Sequence, residues 1–157
     1  MEPYKILIVC LGNICRSPMA EVIMKSRVEA MTPKRQINVG SAGFLHSGEP
    51  ASQPAEVVMN ERQIDLTKHL SRQLSPYLVQ QHDLVLTMEE EQAGEIIHMG
   101  AGDAHVESII SYASKGKESG NVFDPYGEPI EVYRRVANQL EELVDGVLAR
   151  LGEEAVI

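Results

Sequence analysis

Cysteine is scarce in this chain: only Cys10 and Cys15 occur, too few to staple a secreted scaffold or to build a zinc site from paired CxxC knuckles. The core must hold without covalent help. At 157 residues it can, because a folded chain of that size buries roughly two-thirds of its unfolded surface. Long apolar runs are missing as well; nothing near the N-terminus is long enough to span a bilayer or patterned as a cleavable signal, so a cytoplasmic protein is expected. Basic residues fall short, with 14 Lys and Arg against 23 Asp and Glu and a formal charge of −9, which argues against nucleic acid or a membrane surface as partner. Any anion must therefore be gripped locally, against the field of the whole molecule. His46, His69, His82, His98 and His105 form no HExxH or close pair, so no metal is expected. The stretch "CLGNICRS" lacks the second and third glycines of a dinucleotide fingerprint, and no cofactor is expected either. No repeat, linker or low-complexity tract divides the chain, which reads as one domain over residues 1–157.

What is present is an alternation of strands and helices. "KILIVC" has the length and β-branched content of a strand buried on both faces, and it ends at Leu11-Gly12-Asn13. A helix should follow, with Ser17 as N-cap, Pro18 at the first helical position and Thr32-Pro33 as its stop. "INVGSAG", Ile37 to Gly43, is a second strand leading through a Gly-rich loop to a helical "ASQPAEVVMNERQ". "HDLVLTM" is a third strand followed by the helical "EEEQAGEIIHMG", and "HVESIISY" a short fourth. A long loop runs from Ala113 to Pro129, after which Ile130, Tyr133, Val136, Ala137, Leu140, Leu143, Val144, Val147 and Leu148 mark a closing amphipathic helix. The pattern predicts an α/β fold, an open parallel sheet covered on both faces, with its ligand site beyond the carboxyl end of strand one.

That position is held by "VCLGNICRSP". Consecutive amides from Leu11 through Gly12, Asn13, Ile14, Cys15 and Arg16 to Ser17, opening on a helix N-terminus, can surround one tetrahedral oxyanion. Gly12 is expected to allow the curl, and Arg16 to add a planar two-pronged grip. The same positive environment favours a thiolate at Cys10, a nucleophile aimed at phosphorus. A phosphate monoester also needs an acid for its leaving oxygen, and Asp124 in "VFDPYG" is the candidate.

"VCLGNICRSP" and "DPYG", with "SAG" at Ser41 to Gly43, "HLSRQL" at His69 to Leu74 and "DLVLTM" at Asp83 to Met88, resemble the low-molecular-weight protein tyrosine phosphatase family over nearly the whole chain. The resemblance implies a three-layer α/β/α sandwich around a four-stranded parallel sheet, with the phosphate-binding loop after strand one and no metal. It implies Cys10 as nucleophile, Arg16 as phosphoryl binder and Asp124 as general acid. Ser17 would hydrogen-bond the thiolate, Asn13, Ser41 and His69 would brace the loop, and Cys15 would form a reversible, protective disulfide with Cys10.

Phosphorylated proteins are then the expected partners, with a monomer favoured. The family also contains arginine phosphatases and arsenate reductases; the latter relay electrons through further cysteines, which this chain lacks. The resemblance places Ile14 on the cradle wall, where arginine phosphatases typically show threonine, and its methyl surface suits a phenyl ring but strands a guanidinium donor at a cost of about 1–3 kcal/mol. The tail "DPYGEPIEVYRR", with a single tyrosine directly after Pro125 in place of the adjacent pair common in tyrosine-specific members, resembles the arginine branch instead. With no tryptophan to form a pocket wall, Phe44, Leu45 or His46 should line one side and Tyr126 the other. Phosphotyrosine is the reading adopted. Phosphoarginine is the alternative, and a cysteine phosphocarrier or a phosphopeptide-binding module is the rival from another class.

Overall fold

The computed structural model describes residues 1–157. Alternation along β1 (Tyr4–Cys10) sends Ile6, Ile8 and Cys10 to one face of the sheet and Leu7 and Val9 to the other, and all five are buried. A strand apolar on both faces needs cover on both. β2 (Ile37–Gly43), β3 (Leu84–Thr87) and β4 (His105–Ser108) complete a parallel sheet in the order β2-β1-β3-β4, with Ile6 opposite Val39 on one side and Leu84 on the other.

Helices α1 (Arg16–Glu29), α2 (Gln53–Glu61), α5 (Ile109–Ala113) and α6 (Ile130–Glu153) share one core with Ile6 and Ile8. The opposite face, Leu7, Val9 and Val85, is closed by Val79 of α3 (Pro76–Gln80) and Ile96 of α4 (Glu90–Gly100). The result is the expected three-layer α/β/α sandwich around a four-stranded parallel sheet. Because β2 and β3 flank β1 on opposite sides, the chain reverses its direction of progress at β1, and the crevice of such sheets opens there.

Two local expectations are corrected, and one helix is added. α1 begins at Arg16 with Cys15 as an N-cap that makes no side-chain capping bond, so Ser17 lies inside the first turn rather than ahead of it. Its hydroxyl is engaged elsewhere, with the sulfur of Cys10. The fourth strand stops at Ser108, because Ser108 Oγ accepts from Ser111 N at 3.3 Å and turns Ile109, Ile110 and Tyr112 into α5. α3 has no counterpart in the sequence reading; its signal is Ser75-Pro76, where Ser75 Oγ accepts from Leu78 N at 3.1 Å.

Candidate active site

The loop after β1 turns at Asn13, whose φ of 57° lies in the left-handed region, while Gly12 carries no positive φ. The expectation that Gly12 supplies the curl is therefore corrected. Asparagine tolerates this backbone better than most residues because its short amide can bond locally. Here the amide is fully used: Asn13 Nδ2 donates to Ser17 Oγ at 2.8 Å and to Ser41 Oγ at 2.9 Å, and Oδ1 accepts from Arg72 N at 3.0 Å. His69 Nε2 lies 2.7 Å from Asn13 O, and since a carbonyl only accepts, that ring nitrogen carries the proton. Ser41 passes the network on, donating to Glu21 Oε1 at 2.5 Å. Gly43 makes room for it: a Cβ there would stand 2.9 Å from Asn13 N, Asn13 Cβ and Leu11 O.

Two groups converge on the buried sulfur of Cys10, the amide of Asn13 at 3.3 Å and the hydroxyl of Ser17 at 3.0 Å. With Ser17 Oγ accepting from Asn13, its proton is free to donate to a thiolate. The amides of Leu11, Gly12, Ile14 and Cys15 donate to no protein acceptor. Arg16 is 2 % exposed. Its Nη1 donates to Glu89 Oε2 and to Val122 O, both at 2.9 Å, and its Nη2 lies 3.6 Å from Asp124 Oδ2. Its Nε has no partner, the one buried side-chain nitrogen or oxygen in the molecule left so. A buried N–H without an acceptor costs about 1–3 kcal/mol, so this donor is in place for something that arrives.

The segment bearing Asp124 is tied down by that same guanidinium and by Val122 N, which donates to Met88 O at 2.9 Å. Asp124 Oδ1 accepts from Tyr126 N at 3.2 Å, so the carboxyl and the ring are set by one local turn. Both line a cavity of about 510 Å³ together with Cys10, Leu11, Gly12, Ile14, Cys15 and Arg16 below and Leu45, His46 and Glu49 at the side.

Asn13 and Ser17 of the expected cradle do not face this cavity; they lie behind it, buried, with Ser41 and His69. Phe44 is absent from it too, a correction to the expected wall: alternation sends its ring to the opposite face of the sheet, against the cluster of Leu7, Val9 and Ala42.

Cys15 is a free thiol, as is Cys10. Its sulfur donates to Ser52 Oγ at 3.2 Å and meets Tyr133 Oη at 3.4 Å, while Ser52 donates to Tyr133 at 3.3 Å. Burial pushes the Cys15 thiol up from its ordinary value, and burial likewise pushes Tyr133 up to about 12. Both stay protonated near neutral pH.

Sequence reasoning missed Glu89, Ser52, Tyr133 and Glu49. The run "MEEEQ" reads as a solvated helical turn, and nothing in it says that Glu89 meets a guanidinium 73 positions away. Glu89 and Gln92 do carry the local signature of a capping box, which fixes the carboxylate at the start of α4.

The profile of the low molecular weight phosphotyrosine protein phosphatases matches residues 5–156. A protein-arginine-phosphatase of Geobacillus stearothermophilus is 34% identical over 97% of this chain and 99% of its own. A probable low molecular weight protein-tyrosine-phosphatase, EpsP of Ralstonia nicotianae, is 32% identical over 93% and 94%. The solved structure of the YwlE arginine phosphatase from Geobacillus stearothermophilus superposes with a TM-score of 0.86 at 34% identity, covering 98% of this chain and 96% of that one.

Proposed function

The chain belongs to the low molecular weight phosphotyrosine protein phosphatase family, and from that premise we infer that it hydrolyses phosphotyrosine in proteins through a cysteinyl-phosphate. The observation that carries the reading is the unpartnered Nε of Arg16, a residue that lines the cavity together with Cys10, on whose sulfur two donors converge. A tetrahedral oxyanion satisfies that N–H and the free amides of Leu11, Gly12, Ile14 and Cys15 at once.

The chemistry follows from the placement. Cys10 Sγ attacks phosphorus, an S–P bond forms, and the P–O bond to the tyrosyl ring breaks. Asp124, protonated, gives its proton to the departing phenolate oxygen, which would otherwise be a poor leaving group. Arg16 and the loop amides hold the equatorial oxygens as charge spreads over them. As a carboxylate, Asp124 then takes a proton from water, the water oxygen attacks phosphorus, and the S–P bond breaks to return Cys10 and inorganic phosphate. A phosphocarrier has no use for that acid beside the guanidinium, and a binding module has no use for the sulfur.

Residues 1–157 act as one domain in this reading. The nucleophile must be a reduced thiol, which supports a cytoplasmic location. No helix is long and apolar enough to cross a membrane. The −9 charge supports protein rather than nucleic-acid partners, and a monomer suffices because every group named comes from one chain.

A second reading is favoured by a specific observation: relatives at 34% identity are named protein-arginine-phosphatases. Ile14, which lines the cavity, separates the two. The test is turnover of a phosphotyrosine peptide and of phosphoarginine, without added metal, by the unmodified protein and by Cys10→Ser, Asp124→Asn and Ile14→Thr. Phosphotyrosine should be preferred, Cys10→Ser should abolish turnover, and Ile14→Thr should shift the ratio toward phosphoarginine by about tenfold, the value of one unpaired donor. A ratio already favouring phosphoarginine in the unmodified protein would replace the first reading with the second.

A further inference from the structure

A carboxylate on the wall of a pocket that receives a dianion calls for a reason. Glu49 lines the same cavity as Cys10, and no donor lies within hydrogen-bond distance of its carboxylate; the nearest Lys, Arg or His nitrogen, His46 Nε2, is 3.6 Å away. The backbone beneath it is held. Buried Ser71 donates through N to Glu49 O at 2.7 Å, accepts at Oγ from Glu49 N at 3.0 Å and donates through Oγ to His46 O at 3.1 Å. Gly48 N donates to Ser71 O at 2.8 Å, and Gln73 N donates to Ser47 Oγ at 2.7 Å. The turn that presents Glu49 is therefore fixed at the cavity wall.

The charges at the mouth do not balance. The one guanidinium in the cavity, Arg16, is already matched by Glu89, and Asp124 enters the reaction holding its proton, while the phosphoryl group, the Cys10 sulfur and Glu49 are all acidic. The whole chain adds a net −9. A substrate that brings its own cation relieves this excess, and exposed Leu45 offers apolar surface along which a long basic side chain can lie.

We propose that Glu49 is a specificity-determining residue that selects phosphotyrosine segments carrying an arginine or lysine beside the phosphorylated residue. The proposal rests on the phosphotyrosine reading above. A unit cation about 6 Å from the carboxylate in solvent gains a factor of about three, and exchanging it for an anion about ten, most of it in KM because the contact is made equally before and during the reaction.

The experiment uses two phosphotyrosine peptides that differ only in an arginine or a glutamate next to the phosphorylated residue. At low ionic strength the unmodified protein should favour the arginine peptide by about tenfold in kcat/KM, an advantage that shrinks near 0.15 M salt. Glu49→Gln should cut that preference by about tenfold, to near equality, and Glu49→Lys should reverse it. The ratio is taken on a single preparation, so partial unfolding of a variant does not affect it. Equal use of both peptides by the unmodified protein overturns the proposal. So does a preference that survives in both variants, which would belong to the overall field. If neither peptide is dephosphorylated while phosphoarginine is, the tyrosine reading itself has failed and the selection falls with it.

Discussion

Asn13 does three jobs with one side chain and one backbone geometry: it turns the loop, offers its amide N–H to Cys10, and bonds Ser17, Ser41 and Arg72. These can be separated. Asn13→Gly keeps access to the left-handed backbone and loses the side-chain bonds, whereas Asn13→Ala loses both. Each should lower kcat on p-nitrophenyl phosphate by about tenfold or more, through a disordered sulfur environment. Urea unfolding should place the alanine variant about 1 kcal/mol below the glycine variant, the cost of a Cβ at positive φ. Equal stabilities would mean that the loop is not held in this turn. The sequence shows the cysteine, arginine and aspartate of the site because each is a reactive type in a telling local context. It does not show which loop residue takes the unusual backbone, because glycine and asparagine both can.

Helices α2 and α6 meet the reactive loop at a triangle of buried Cys15, half-buried Ser52 and buried Tyr133. Ser52 also donates its amide to Ile14 O at 2.8 Å, so the start of α2 is joined to the cradle by main chain as well as side chain. Tyr133→Phe removes one hydroxyl from a buried network and leaves the Ser52–Cys15 bond. It should cost about 1 kcal/mol, seen as a fall in Tm of about 2–4 °C for a domain of this size. An unchanged Tm would show that the hydroxyl contributes nothing net. Most elements were legible in the sequence because their apolar spacing decides which face is buried: β1 is apolar throughout, and α6 repeats its stripe from Tyr133 to Leu151. What was not legible depends on single polar contacts. Ser108 ends β4 by capping α5, Ser75 starts α3, and Ser17 turns to Cys10 instead of capping α1. A serine before an apolar run reads the same in all three cases.

At the scale of the whole molecule, acid should destabilise the fold partly through His82. Burial lowers its pKa below the usual histidine value, while Nδ1–H donates to Leu78 O at 2.7 Å in the neutral form. The unfolded chain therefore takes up a proton at a higher pH than the folded one, and stability falls as pH drops from the ordinary histidine pKa of about 6.5 toward the lowered folded value. His82→Asn, which can keep a donor toward Leu78 O, should flatten the pH dependence of urea midpoints in that window. A slope identical to that of the unmodified protein would exclude His82 as its source. The long-range pairings that assemble the site, Arg16 with Glu89 and with the Asp124 segment, exist only because the parallel sheet brings the ends of β1 and β3 side by side. No local pattern announces them.

The central claim is that Cys10 takes the phosphoryl group onto its sulfur. Acid quenching of the protein during turnover of p-nitrophenyl phosphate, followed by peptide mass spectrometry, tests it most directly. The account predicts one added phosphoryl group on the peptide containing Cys10, accumulating further in Asp124→Asn and absent in Cys10→Ala. Turnover without that adduct, or a phosphoryl group trapped on any other residue, would contradict it.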